Sequence, residues 1–164
     1  MNIWHISDTH GTHAQLKVPD AIDLVIFSGD CSNHRNPSLN SHEVLDFIEW
    51  FRNITSKHGD GDMFPDLIMI AGNHDTSIDK GLVSKSFLAD KGIVYLENSG
   101  LELFGFNIWG SPITPTYGKG WSWGRDRAKT YKTWDNIPDD TDILVTHGPP
   151  KGILDATINK DHTM

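Results

Sequence analysis

Four short segments of this chain carry residues that bind cations. Asp8-Thr9-His10 sets a carboxylate and an imidazole two positions apart. In an extended segment, side chains at i and i+2 project to the same side, so both can reach one ion. Gly29-Asp30 offers a carboxylate whose two oxygens can bridge a pair of cations. In Gly72-Asn73-His74-Asp75 the glycine permits a tight turn and Asn73 presents a neutral carbonyl oxygen. His74 can then face a substrate as a proton donor or positive group, with Asp75 orienting its ring. His147 follows Leu144-Val145-Thr146, and the chain just after it is stiffened by Pro149-Pro150. Mixed nitrogen and oxygen donors of this kind suit manganese, iron, zinc or nickel better than calcium, which prefers all-oxygen cages. Two such ions roughly 3.5–4 Å apart clamp a phosphoryl group and generate a nucleophile for in-line attack.

Positioning these residues falls to the elements that precede them. Apolar runs at Ile3 to Ser7, Leu24 to Ser28, Leu67 to Ala71 and Ile143 to Thr146 read as buried strands, and each ends at one of the four segments. Between the second and third runs, Val44, Ile48 and Phe51 share one face at helical spacing. That pattern predicts a helix over Ser41 to Ser56, capped by Asn40 or Ser41. A weaker helix is predicted over Lys80 to Asp90, and another over Arg125 to Trp134. Two or three strands are expected between Ile93 and Trp109, with turns at Asn98-Ser99-Gly100 and Gly105. Alternating strands and helices imply a mainly parallel α/β sheet, whose ligands bind beyond the carboxyl ends of the strands. On that reading all four segments end strands of one sheet and converge.

Composition bounds the rest. The chain has 164 residues, enough for one domain spanning 1–164 with a sizeable core. A net charge of −8 argues against a broad basic grip on nucleic acid, while leaving open a small phosphate-bearing substrate met through bound cations. No stretch approaches ~20 apolar residues, so no membrane span is expected. Cys31 is the only cysteine, the start of the chain does not read as a signal peptide, and a cytoplasmic protein is the expectation.

The ordered motifs Asp8-x-His10, Gly29-Asp30, Gly72-Asn73-His74-Asp75 and Thr146-His147 resemble those of the calcineurin-like metallophosphoesterases. Ile6 to His10, Gly110-Ser111-Pro112 with Thr114-Pro115, and Thr141 to Pro150 with Gly152 and Asp155 resemble a narrower branch, the brain-protein-like metallophosphoesterase-domain-containing proteins, assigned as cyclic-nucleotide phosphodiesterases. The resemblance implies a two-sheet sandwich flanked by helices. It also implies two divalent metal ions, manganese foremost, with Asp8, His10 and Asp30 on one and Asp30, Asn73 and His147 on the other. His74 would stabilise or protonate the leaving oxygen. The family's later Gly-His-x-His segment is not found in this sequence, which predicts a sandwich short of its last strands, weak metal binding and self-association.

Other residues are weighed beside these. His34 borders a ligand loop and is expected at the surface or against substrate, as is His13. His5 is expected to be packed, His42 and His58 solvated at helix ends, and His162 in a mobile tail. Cys31 reads as a small buried residue. In the aromatic loop from Tyr117 to Trp123, Trp121 and Trp123 can stack on a base or pack as a lid. Arg125 can meet a phosphate or carboxylate, or lie on a solvated helix face.

Overall fold

The computed structural model describes residues 1–58, 66–116 and 119–155; Tyr117, His162 and the imidazole of His58 lie outside the described residues. Its main sheet is parallel, in the order β1 (Ile3–Ile6), β2 (Leu24–Phe27), β3 (Asp66–Met69), β4 (Ile93–Tyr95). A second sheet holds β5 (Ser99–Leu103), β6 (Phe106–Ser111) and β9 (Ile143–Thr146), with β6 antiparallel to β5 and parallel to β9. A short pair, β7 (Thr114–Pro115) and β8 (Gly124–Arg125), closes the loop between β6 and the last helix. The chain is therefore mixed α/β, with two sheets and flanking helices. Among the described residues no helix is long and apolar enough to cross a membrane.

Alternation along the central strands explains the layers. Side chains of β2 point in turn to opposite faces. Val25 and Phe27 join Leu67 and Met69 beneath the helix α1 (Pro37–His58). Leu24 and Ile26 join Ile68, Ile70, Ile108 and Val145 between the two sheets. Every residue of β2 is thus buried, which is why it reads as an unbroken apolar run. On α1, Val44, Phe47, Ile48 and Phe51 form the buried stripe, and the Phe27 and Phe47 ring centroids lie 4.4 Å apart.

Several boundaries differ from the sequence reading. Helix α1 begins at Pro37, four residues early, because Asn36 is its cap: Asn36 Oδ1 accepts from the backbone of Ser38 at 2.9 Å, and proline suits the first helical position. Asn40, expected as a cap, is instead fully buried inside the helix. Of the helix expected over Lys80 to Asp90 only α3 (Lys85–Asp90) forms, capped by Ser84, and a separate short helix, α2 (Thr76–Asp79), precedes it. The final helix, α4 (Arg127–Trp134), is capped by Asp126, and Ser99 and Gly100 belong to β5 and not to a turn.

His13 and His5 exchange their expected places. His5 is exposed, with Nε2 2.9 Å from Ser28 Oγ. His13 is only 3% exposed, against Phe47 and Trp50, with Nε2 3.2 Å from Asp46. Burial lowers the His13 pKa from its ordinary 6.5, and Asp46 only partly offsets this. The folded ring therefore takes up its proton at lower pH than the unfolded chain does. Between the two values the unfolded state binds more protons, so stability is complete above about 6.5 and declines as pH falls below it. In urea titrations at pH 7.5 and 5.5, the wild type is expected to lose more stability on acidification than His13→Phe. Equal losses would show that His13 does not contribute to acid sensitivity.

Candidate metal centre

Because β1, β2 and β3 are parallel, their carboxyl ends open on one edge, and three of the four motif loops emerge there. The fourth comes from elsewhere than expected. β9 belongs to the second sheet, so His147 reaches the centre from across the sandwich.

Two glycines let the loops meet. A Cβ on Gly29 would stand 2.6 Å from the Gly72 nitrogen and 2.8 Å from His147 Nδ1. One on Gly72 would crowd Asp30 Oδ1 and stand 2.7 Å from His147 Cε1, so that both side chains would have to shift. Asp8, His10 and Asp30 all adopt positive φ, at 54°, 43° and 61°. Non-glycine residues in that region are uncommon and cost of order 1–3 kcal/mol each when strained. Three of them, all on candidate ligands, place backbone strain where the donors converge. Gly72→Ala is accordingly expected to cost ~1–3 kcal/mol of stability through overpacking and to weaken metal uptake by displacing Asp30 and His147. Urea unfolding and a Mn²⁺ titration measure the two effects, and wild-type metal affinity in the variant would overturn the prediction.

Asp30 lies at the middle, 4% exposed at its side chain. Its Oδ1 accepts from the His74 backbone at 2.8 Å and stands 3.4 Å from His147 Nε2, while Oδ2 stands 3.6 Å from His10 Nε2 and 4.0 Å from His74 Nε2. Two donor groups share it: His10, Asp30 and His74, and Asp8, Asp30 and His147, the ligand atoms of each group lying within 4.8 Å of one another. Asn73 Oδ1 is 3.1 Å from His147 Nε2, and Asp8 Oδ1 is 4.0 Å from His10 Nε2. Asp8 is also held by the hydroxyl of Ser7.

The imidazoles differ in how they are held. His10 Nδ1 is 3.0 Å from the Ser32 carbonyl and His147 Nδ1 is 2.8 Å from the Ser28 carbonyl. A carbonyl only accepts, so Nδ1 carries the hydrogen in both, and Nε2 is turned toward Asp30 as a ligand atom would be. His74 has no such anchor: its Nδ1 is buried without a hydrogen-bond partner. Burial alone would lower the His147 pKa, but the Asp30 carboxylate outweighs it and pushes the imidazole up to about 9. Asp30 is in turn held below the usual carboxylate value, burial being overcome by His147 and His74. In the metal-free chain a proton thus sits among acceptors, Asp30 and Asn73, that could face a cation, and a bound cation would displace it. The donor set fits a pair of divalent cations on this chemistry.

The structure corrects several other expectations. Asp75 does not orient the His74 ring. It is fully buried and its carboxylate accepts from the backbones of Asp30 (2.8 Å), Gly72 (2.8 Å) and Ser32 (3.2 Å), and from Ser32 Oγ (2.7 Å) and Cys31 Sγ (3.2 Å). It ties two ligand loops together from below. Burial and the nearby Asp30 charge raise its pKa. Trp123 is 6% exposed within the core and offers no face to a substrate. Arg125 lies on β8 beside Ile78, Lys85 and Glu97, in a depression apart from the donors. The His34 side chain points out, 59% exposed, with Nε2 3.9 Å from Glu43. Trp121 does reach the site, but its ring is occupied: its centroid is 3.8 Å from that of His74, and the Arg35 guanidinium lies 4.1 Å over it.

Two contributors were missed in the sequence. Asn40 Nδ2 donates to the carbonyls of His34 (2.8 Å) and His74 (2.9 Å) and to Ser32 Oγ (2.9 Å), and Oδ1 accepts from the Ser77 backbone at 2.9 Å. It clamps the His74 turn to the preceding loop. The signal was present: Asn40 falls on the same helical face as Val44 and Ile48, and a polar residue on a buried stripe has a partner to satisfy. Arg35 left no such signal.

Strand ends thus deliver carboxylate and imidazole donors to one shared aspartate, an arrangement that could hold divalent metal. The chain belongs to the calcineurin-like phosphoesterase family, whose model matches residues 1–162. It is 32% identical over 173 residues to metallophosphoesterase domain-containing protein 1 of Homo sapiens, covering 92% of this chain and 49% of that protein. A UPF0046 protein of Caenorhabditis elegans is 29% identical over 164 residues, covering 92% of this chain and 51% of the nematode protein. The probable rhamnogalacturonate lyase C of Emericella nidulans is 36% identical over 160 residues, 92% of this chain but 14% of the fungal protein. The chain thus spans about half the length of the animal relatives and a small part of the fungal one.

Proposed function

We propose that this chain hydrolyses a phosphodiester of a small molecule, a cyclic nucleotide foremost, at a pair of divalent cations, manganese foremost. The observation that carries the reading is Asp30, buried, with one oxygen turned to His147 and the other to His10. Asp8, His10 and Asp30 would hold one cation, and Asp30, Asn73 and His147 the other. The cations would supply neutralisation of the phosphoryl oxygens and a nucleophile at neutral pH. The chain's own residues do the rest. Ser28 and Ser32 carbonyls hold two imidazoles in the ligating tautomer, and Asp75 and Asn40 fix the loops. His74 Nδ1 has no carbonyl to fix its tautomer; as an imidazolium it would give its Nε2 proton to the departing oxygen and be left as neutral imidazole. The net charge of −8 disfavours a long polyanion as substrate, and the buried thiol of Cys31 is compatible with the cytoplasm.

Metal removal tests the reading. After dialysis against a chelator, the chain is expected to lose hydrolysis of bis(p-nitrophenyl) phosphate and to regain it on adding Mn²⁺, with two ions bound per chain. Tight binding of both ions without hydrolysis of aryl or cyclic diesters would instead make this a phosphate-binding module.

A further inference from the structure

Arg35 takes no part in the chemistry just described, yet it stands at the rim of the centre. Its backbone is fixed although its side chain is exposed. Asn33 and His34 donate backbone N–H groups to Glu43 at 2.8 and 2.9 Å, and the His34 carbonyl accepts from Asn40. Its guanidinium carbon lies 4.1 Å over the Trp121 ring, whose centroid is 3.8 Å from that of His74 with the two planes tilted by 30°. Trp121 is anchored from the centre itself, because the next residue, Ser122, donates its backbone N–H to the Asn73 carbonyl at 3.0 Å. Among the described residues no carboxylate pairs with Arg35, in a chain carrying eight excess negative charges.

A guanidinium lying against an indole uses its face and keeps its N–H edge, which matches a carboxylate, a phosphate or another pair of coplanar acceptors. Arg35 and the His74 imidazole both lie against the same indole, so the guanidinium stands beside the ring that would face the departing oxygen. We infer that Arg35, held on Trp121, is a specificity residue that binds a pair of coplanar acceptors on the leaving-group side of the substrate, so that the preferred substrates are phosphate esters whose leaving group presents a carboxylate, a second phosphate or a nucleobase acceptor edge. The inference rests on the phosphoesterase reading for the position of the ester.

Calorimetric titration of the Mn²⁺-loaded chain with phenylphosphonate and with 4-carboxyphenylphosphonate tests it without turnover. Wild type is expected to bind the carboxylated compound about tenfold more tightly, the factor of one charge-assisted pair. Arg35→Met should bring the ratio of the two affinities close to one, Arg35→Lys should keep part of it, and Trp121→Leu should reduce it by releasing the guanidinium. Equal binding of both phosphonates by wild type, or a ratio that survives Arg35→Met, would overturn the inference while leaving the phosphoesterase reading intact. Failure of the loaded chain to bind either phosphonate would overturn both.

Discussion

Asp30→Asn is expected to weaken both metal sites together and to lower turnover by ~10³-fold or more. The charge stabilisation that bound cations supply to a phosphoryl group is worth several kcal/mol, and each 1.36 kcal/mol is a factor of ten. Asparagine has the shape of aspartate, so the loops need not move. It nevertheless replaces one anionic oxygen with an N–H donor, and in this site neither oxygen is spare. Oδ1 serves the His147 side and the His74 backbone, and Oδ2 serves His10. Whichever way the amide turns, one side receives a donor where it needs an acceptor, and the charge is lost to both. His10→Ala and His147→Ala provide the contrast, each expected to weaken one site more than the other. Metal stoichiometry after gel filtration, with phosphodiester hydrolysis at saturating Mn²⁺, distinguishes the cases. Should Asp30→Asn retain one ion at full affinity, Asp30 does not bridge and the binuclear proposal loses its support.

Strand ends made the convergence of Asp8, His10, Asp30, Asn73, His74 and His147 legible. Short apolar runs that stop at polar residues locate the carboxyl edge of a parallel sheet, and that edge is a property of topology more than of detail. What the runs do not encode is which sheet each joins. Ile143 to Thr146 reads like Leu24 to Phe27, yet it pairs with β6, because the long-range partner is chosen by packing against Ile108 and Leu96 and not by local pattern.

The aromatic loop failed for a local reason. In extended backbone residues two apart share a face. Trp123 has a φ of 59°, outside that conformation. One indole goes to the site and the other to the core. Asp75 failed for a different reason. A carboxylate beside a histidine suggests a pair, but the backbone of the 72–75 turn aims the Asp75 oxygens inward at five donors, leaving none for the imidazole. Arg35 was invisible because its role depends on Trp121, distant in sequence and brought close by the Ser122–Asn73 backbone bond.

His74→Ala is expected to lower turnover by ~10²–10⁴-fold, the range for a general acid, with metal content nearly unchanged. The two halves of that expectation come from one contrast. His10 and His147 have Nδ1 fixed on backbone carbonyls and Nε2 committed to the donor cluster, whereas His74 Nδ1 has no partner. Its Nε2 also stands farther from Asp30, at 4.0 Å against 3.6 and 3.4 Å for the other two rings. Distance alone does not exclude ligation, since His74 falls within the donor cluster with His10 and Asp30. Leaving-group dependence decides the matter. A p-nitrophenolate departs without needing a proton, whereas a sugar or alkyl alkoxide does need one. The deficit of His74→Ala should therefore be large on a cyclic nucleotide and small on bis(p-nitrophenyl) phosphate, at equal Mn²⁺ occupancy. A ligand would behave otherwise: its loss would depress both substrates alike and lower the ion count. An equal deficit on the two esters, accompanied by lost metal, would move His74 from proton donor to the coordination sphere.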